Sequence, residues 1–320
     1  MNGTPLERPA RRAYSIFLGR HRSVEGGPSQ QFRPDTRKPL VLPDGVTEEQ
    51  LRQTFLSFSL DSGPVGQLDP YYFDAFYRFV HSWSAVRNES GRCLELGANP
   101  YFITWLLAKH TDLELTLANY FGSNETTGRQ TLSWDEGVGR REMPLTFDHF
   151  NSESDPFPYE DNTFDVVVYC EIIEHLLMNP VHTLREIHRV LRPSGKLLVT
   201  TPNVARFGNL IAIAEGRSIY DPYSGFGPYG RHNREYSMPE LLHLLRFCGF
   251  IEEASFTADA HDAEYAEHPF FDRACELARE RPHHLGQYLF AIVRAETTPQ
   301  PGYPASLFRS YPDEELNFEW

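Results

Sequence analysis

The chain has 320 residues, 40% of them hydrophobic and 23% charged, with a formal net charge of −14 at pH 7. That length holds one large α/β domain with additions or two small ones, and the composition is that of a globular protein able to bury a core. The acidic balance argues against general affinity for nucleic-acid backbones, and no apolar run approaches the roughly 20 residues that a bilayer span needs.

Residues 1–45 carry "RPARR", "EGGPSQQ" and "RPDTRKP", rich in Pro, Gly and Arg with little periodicity, so a flexible basic arm is expected. No apolar central region marks a secretory signal there. In "VTEEQLRQTF", Thr47 reads as a helix cap ahead of acidic first-turn residues. With the aromatic stretch "PYYFDAFYRFVHSWSAVR" it predicts a helical platform or lid over 46–90. Its aromatic face reads first as core, and residues 71–84 suit a homodimer contact and a lid equally well.

From residue 91 to 296 strands and helices alternate. "RCLELG", "LELTLANY", "REMPLTF", "TFDVVVYC", "GKLLVTTPN" and "GQYLFAIVRA" read as strands. "YFITWLLAKH", "NPVHTLREIHRVL" and "SMPELLHLLRFCGF" read as helices. This succession predicts a doubly wound, mostly parallel sheet. Residues 297–320 are Pro-rich and then acidic, and read as an extended tail. The cysteines Cys93, Cys170, Cys248 and Cys275 are far apart and form no CxxC pair, which fits a reducing cytoplasm better than a disulfide framework or zinc site.

In such sheets ligands bind beyond the carboxyl ends of the strands. The first strand delivers "ELGANP" there, where Gly97 permits close backbone approach. The strand "VVVYC" ends in "EIIEHLLMNP". A helix starting near Cys170 would set Glu171, Glu174 and His175 at i, i+3 and i+4 on one face. Two carboxylates crowded there repel unless a proton or cation intervenes. A divalent cation, Mg²⁺ in the first instance, is therefore expected, although the imidazole is better suited to Mn²⁺, Fe²⁺ or Zn²⁺. Acidic residues also favour any first helical turn without a metal.

Residues 90–295 resemble class I S-adenosylmethionine-dependent methyltransferases of the type 11 kind. "CLELGANP" matches the first motif, "DPFPYEDNTFDVVV" the approach to the fourth strand, and "HTLREIHRVLRPSGKLLVTTPN" the helix, turn and fifth strand. The resemblance implies a Rossmann-like fold with seven strands, helices on both faces and an N-terminal helical extension. It also implies cofactor contacts from Glu95, Gly97, Ala98, Asn119, Asn151 and Cys170. Asn119 and Asn151 stand where acidic residues are usual. "EIIEH" resembles the metal box of small-RNA 2′-O-methyltransferases and ubiquinone O-methyltransferases, and "RHNREYSMPEL" supplies the further His of the former. That implies metal ligands Glu171, Glu174, His175 and His232, with His232 and Glu174 catalytic. The long segment 203–237 resembles methyltransferases encoded with bacterial surface or storage polysaccharide genes, extending to the methylated-mannose polysaccharides of actinobacteria. It implies a carbohydrate hydroxyl acceptor contacted by Tyr229, Arg231, Asn233 and Tyr236. RNA 2′-O-methylation and methylation of a small phenol or quinone remain the competing readings.

Overall fold

Thr47 accepts a hydrogen bond from the Gln50 amide through its side chain, and the Gln50 side chain accepts one from the Thr47 amide. This reciprocal cap starts α1 (Glu48–Leu56). α2 (Asp69–Val86) has Pro70 in its first turn and buries Tyr72, Phe76, Phe79, Val80 and Trp83 along one stripe. Both pack on α3 (Phe102–His110), where Phe102 stacks on Phe58 at 5.0 Å and on Phe79 at 4.6 Å between centroids.

The computed structural model describes residues 34, 36–64, 66–137, 139–261 and 265–318. Most of the arm expected over 1–45 therefore lies outside the described residues. Its described end is tied down: the Thr36 hydroxyl donates to the Asp259 carboxylate, and the Asp259 amide donates to the Thr36 carbonyl at 3.1 Å. The described residues up to Pro299 form one compact unit and those from Gln300 belong to a second. In the latter, Tyr303–Pro304 pairs in parallel with Leu316–Asn317, and Tyr303 packs on Phe308 and Tyr311. The expected extended tail thus folds back on itself, held by aromatic contacts.

The strands are β1 (Ser59–Leu60), β2 (Ser90–Leu96), β3 (Asp112–Asn119), β4 (Thr127–Glu136), β5 (Gly139–His149), β6 (Phe164–Cys170), β7 (Leu191–Pro202), β8 (Phe250–Ala258) and β9 (Tyr288–Ala295). Among the described residues they form one sheet in the order β1-β4-β5-β3-β2-β6-β7-β9-β8. β5, β3, β2, β6 and β7 run parallel, and β9 lies antiparallel between β7 and β8. β6 is buried along nearly its whole length, as a strand covered on both faces must be. The further helices are α4 (Val181–Val190), α5 (Phe207–Ala214), α6 (Met238–Phe247) and α7 (Phe271–Arg279).

The sheet is nine-stranded rather than seven-stranded. β1 and the antiparallel partner β4 extend one edge. β4 and β8 escape a reading by apolar runs because "TGRQTLSWDE" and "FIEEASFTA" are largely polar and exposed. Among the described residues no helix is long and apolar enough to cross a membrane.

Candidate active site

The strand order reverses between β2 and β6, so the loops leaving their carboxyl ends diverge around a crevice. Gly97 follows β2 with φ +70°, and a Cβ there would lie 2.1 Å from Cδ1 of Ile172 in the loop after β6. Any side chain here would be strained at this φ and would have to displace the Ile172 side chain. Together with Asn119, Tyr120, Phe121, Asn151, His175 and Tyr229, Gly97 and Ile172 wall a cleft of ≈ 200 Å³.

The residues expected to meet a cofactor divide into two groups. Gly97, Asn119 and Asn151 line the cleft. Both amides also brace its walls. The Asn119 oxygen accepts the Asn99 amide at 2.9 Å while its NH₂ donates to the Tyr101 hydroxyl at 3.1 Å. The Asn151 NH₂ donates to the Tyr229 hydroxyl at 2.9 Å. Each amide oxygen keeps a lone pair for a ligand. Glu95, Ala98 and Cys170 are buried and are not among the residues that wall the cleft. The Glu95 carboxyl turns to α3 and accepts the Thr104 hydroxyl at 2.7 Å. Burial pushes its pKa up to about 8, against the lowering effect of that hydrogen bond.

The turn after β6 is not the α-helix its spacing predicts. Glu171 adopts φ +56°, and only a 3₁₀ turn, Ile173–His175, precedes α4. The shared helical face therefore does not form. Glu171 accepts the Thr200 hydroxyl at 2.9 Å and lies 3.9 Å from Nε of Arg78 on α2. It stands outside the ligand group that Glu174, His175 and His232 make, one ligand atom from each lying within 4.8 Å of the others. Four-ligand coordination including Glu171 is thus not what the geometry provides.

Backbone stitching brings His232 to the turn. The Asn233 and Arg234 amides donate to the Glu174 carbonyl at 2.7 and 3.1 Å. The Asn233 NH₂ donates to the carbonyls of His175 at 2.9 Å and Pro228 at 3.0 Å. The rings of His175 and His232 end 5.0 Å apart. Asn233 is accordingly a clamp rather than an acceptor ligand. Tyr236 is 2% exposed and equally removed from an acceptor. Arg231 stacks over the Tyr223 ring at 5.0 Å and donates to the Asn233 oxygen at 3.2 Å. The segment 203–237 also contains α5 and is not wholly a loop.

The electrostatics of the group are unusual. The Glu174 side chain is fully buried; its Oε2 accepts the Thr201 hydroxyl at 2.9 Å, and Oε1 has no hydrogen-bond partner. Burial, and then the Glu171 charge, hold Glu174 well above the usual carboxylate range. His175 contacts the Arg231 carbonyl through Nδ1 at 3.0 Å, and His232 contacts the Glu235 carboxylate through Nδ1 at 3.2 Å. Both partners only accept, so both Nδ1 atoms carry the proton when the ring is neutral and both Nε2 atoms present a lone pair. Burial, and then His232, lower the pKa of His175. Burial also opposes a charge on His232, but the Glu235 hydrogen bond and the Asp221 and Glu235 charges outweigh it and raise its pKa.

Several contributors were not anticipated. Arg78 reaches Glu171 from the platform helix α2. Asp221 accepts the His232 amide at 3.0 Å, and Glu235 is itself paired with Arg206. The Glu153 carboxylate, 8% exposed, accepts the Leu177 and Asn179 amides at 3.1 Å and the Tyr229 hydroxyl at 3.0 Å. A lone Glu in "NSESDP" gives no sign of this. Tyr120 and Phe121, the aromatic pair after β3, also wall the cleft and are left exposed, which residue type alone does not reveal.

Residues 102–199 match a family described as a methyltransferase domain. A Mycolicibacterium smegmatis protein described as a probable S-adenosylmethionine-dependent methyltransferase is 38% identical over 126 residues, 38% of this chain and 43% of that one. A Mycobacterium tuberculosis protein of the same description is 39% identical over 97 residues, 30% of each chain. The chain thus spans less than half the length of these relatives. A solved S-adenosylmethionine-dependent methyltransferase from Archaeoglobus fulgidus, 14% identical with a TM-score of 0.40, covers 71% of this chain and is itself covered to 91%. With β5, β3, β2, β6 and β7 parallel and β9 inserted antiparallel before β8, the fold is the Rossmann-like fold of class I methyltransferases.

Proposed function

We propose that the chain is an S-adenosylmethionine-dependent O-methyltransferase acting on a hydroxyl of a sugar or oligosaccharide, with a divalent cation held by Glu174, His175 and His232. One observation carries the cation: a fully buried carboxylate oxygen without a partner faces two imidazoles whose Nδ1 atoms are already engaged. An unpaired buried carboxylate is costly, and a cation relieves that cost. The donor set, two nitrogens and one carboxylate, favours Mn²⁺, Fe²⁺ or Zn²⁺ over the Mg²⁺ first expected.

S-Adenosylmethionine takes the cleft beyond β2 and β3, where Gly97 admits close approach and the two asparagine oxygens keep free lone pairs. His175 belongs both to the cleft wall and to the ligand group, which sets an acceptor hydroxyl beside the methyl donor. Methyl transfer is an in-line displacement, and the chain's main task is alignment. A bound divalent cation would supply the Lewis acidity that lowers the pKa of the acceptor hydroxyl. Without one, the His232 Nε2 lone pair, oriented by Glu235 through Nδ1, becomes the general base. The polar, aromatic segment that carries His232, with Tyr220 and Tyr223 almost fully exposed, supports a carbohydrate acceptor. A phenol or quinone would call for a closed apolar pocket, and RNA for a basic surface.

The test is methyl transfer from S-adenosylmethionine to a panel of oligosaccharides, phenols and short RNAs, with and without divalent cations after chelation. Incorporation into a glycan, lost on chelation and restored by Mn²⁺ or Zn²⁺, supports the full reading. Turnover unchanged by chelation removes the cation and leaves His232 as base. Incorporation into phenol or RNA alone overturns the acceptor. His232→Ala is expected to lower turnover about 10²-fold or more while S-adenosylmethionine affinity stays within about threefold.

A further inference from the structure

The cleft has two chemically different ends. Gly97 and Ile172 follow β2 and β6 with His175 beside them, whereas Tyr120 and Phe121 follow β3, and Phe150 and Asn151 follow β5. β3 and β5 are paired at Asn119 and His149, so these three rings and both asparagines gather at one end. Tyr229 joins that end from a distant part of the chain. Its hydroxyl accepts the Asn151 NH₂ at 2.9 Å, and its ring stands edge-on to Tyr120, 5.9 Å between centroids. Through Tyr229 the segment that carries His232 reaches the cleft.

Tyr229 lies in a 3₁₀ turn, Pro228–Gly230, and a buried carboxylate holds it. Glu153 Oε2 accepts the Tyr229 hydroxyl at 3.0 Å and the Leu177 amide at 3.1 Å. Oε1 accepts the Met178 amide, and the Asn179 amide at 3.1 Å. The Glu153 amide in turn donates to the Asn151 oxygen at 3.0 Å. An ionised carboxylate only accepts, so the Tyr229 hydroxyl donates to Glu153 while accepting from Asn151. Hydrogen bonds to a carboxylate are stronger than neutral ones. Glu153 is not itself among the residues that wall the cleft. With its hydroxyl engaged inside the chain, Tyr229 offers the cleft its ring.

S-Adenosylmethionine carries a planar purine at one end and its sulfonium towards the other. Methyl transfer beside His175 puts the sulfonium at the Gly97 end and leaves the aromatic end for the purine, which stacks well on such rings. We propose that Glu153 is a positioning residue for the cofactor: by holding the Tyr229 hydroxyl it fixes the Tyr229 ring as a wall of the purine end. The proposal rests on the reading of this cleft as the S-adenosylmethionine site. It moves Tyr229 from the acceptor, where the family resemblance placed it, to the cofactor.

The experiment measures S-adenosylmethionine affinity by calorimetry in wild type, Tyr229→Ala, Tyr229→Phe, Glu153→Gln and the double variant Glu153→Gln/Tyr229→Phe. Tyr229→Ala removes the ring and should weaken binding about tenfold or more. Tyr229→Phe keeps the ring but not its tether, and should weaken binding about three- to tenfold. Glu153→Gln should lose at least as much. The double variant should bind within about twofold of Glu153→Gln alone, because the second change removes a contact already lost; a merely structural role for Glu153 would let the two losses multiply. Saturation-transfer NMR locates the effect: the purine H2 and H8 signals, relative to the methionine-chain protons, should fall in Tyr229→Ala. Wild-type affinity in Tyr229→Phe, multiplying losses, or an unchanged proton ratio each overturns the proposal and leaves the cofactor reading standing. Absence of binding by the wild-type protein overturns that reading and the proposal with it. If Glu153→Gln fails to fold, the two Tyr229 variants carry the test by the same criteria.

Discussion

The packing around Phe102 and the group around Glu174 are both gathered from distant segments, yet they end in opposite conditions. Phe102 is 1% exposed and meets Phe55, Phe58 and Phe79, from α1, its C-terminal end and α2, at centroid distances of 5.0, 5.0 and 4.6 Å. Every ring there finds its partners within the chain. Glu174 is more deeply buried still, yet keeps a carboxylate oxygen unpaired. Aromatic packing is non-directional enough to complete itself; a buried carboxylate needs a donor at a set position. The first region is finished by folding, and the second waits for a ligand.

Substitutions should separate the two conditions. Phe102→Ala removes a ring from a closed cluster and is expected to cost about 3–5 kcal/mol of unfolding free energy, read from urea denaturation. Glu174→Gln should behave differently. In the absence of divalent cations its stability should stay within about 1 kcal/mol of wild type, because the amide can still accept from Thr201 and no buried carboxylate remains. Saturating Mn²⁺ or Zn²⁺ should then raise wild-type stability by about 2.7 kcal/mol at a hundredfold excess over Kd, and Glu174→Gln by far less. Equal gains in the two proteins would place the cation elsewhere.

The same contrast explains what the sequence reveals. Thr47 and Ser237 start helices through side chains three residues from their partners, and such local chemistry is legible. The apolar run of β6 declares a strand covered on both faces. "EIIEH" misleads because i, i+3 and i+4 spacing serves a single 3₁₀ turn as well as a helix, and nothing local signals the positive φ of Glu171. That "EIIEH" and "RHNREY" come together was implied by the resemblance to small-RNA 2′-O-methyltransferases rather than by spacing or composition, and Glu174, His175 and His232 do meet. The part played by Asn233, hydrogen bonding to main-chain carbonyls, was not legible, because a polar side chain in a Gly- and Tyr-rich segment serves a substrate or a backbone equally well. Edge strands such as β4 hide for a related reason: with one face in solvent their residues lack the apolar continuity that marks β6.

One ionisable group lies inside the finished region and offers the smallest effect. His81 on α2 is 6% exposed, with its ring 5.9 Å from Phe256 and 5.7 Å from Phe290. Burial, and then the charge of Lys38, lower its pKa to about 4, whereas an unfolded His titrates near 6.5. The unfolded chain therefore takes up the proton more readily between these values. Stability from this group is complete above pH 6.5 and is lost as pH falls toward 4, at up to about 1.4 kcal/mol per pH unit. Between pH 7 and pH 5 the loss should reach about 2 kcal/mol. His81→Phe keeps an aromatic ring against Phe256 and Phe290 and removes the proton site, so its unfolding free energy should fall by about 2 kcal/mol less over the same interval. Parallel pH profiles for the two proteins would mean that the acid sensitivity originates outside the aromatic platform, and the contrast between a self-sufficient region and an unfinished one would then need another basis.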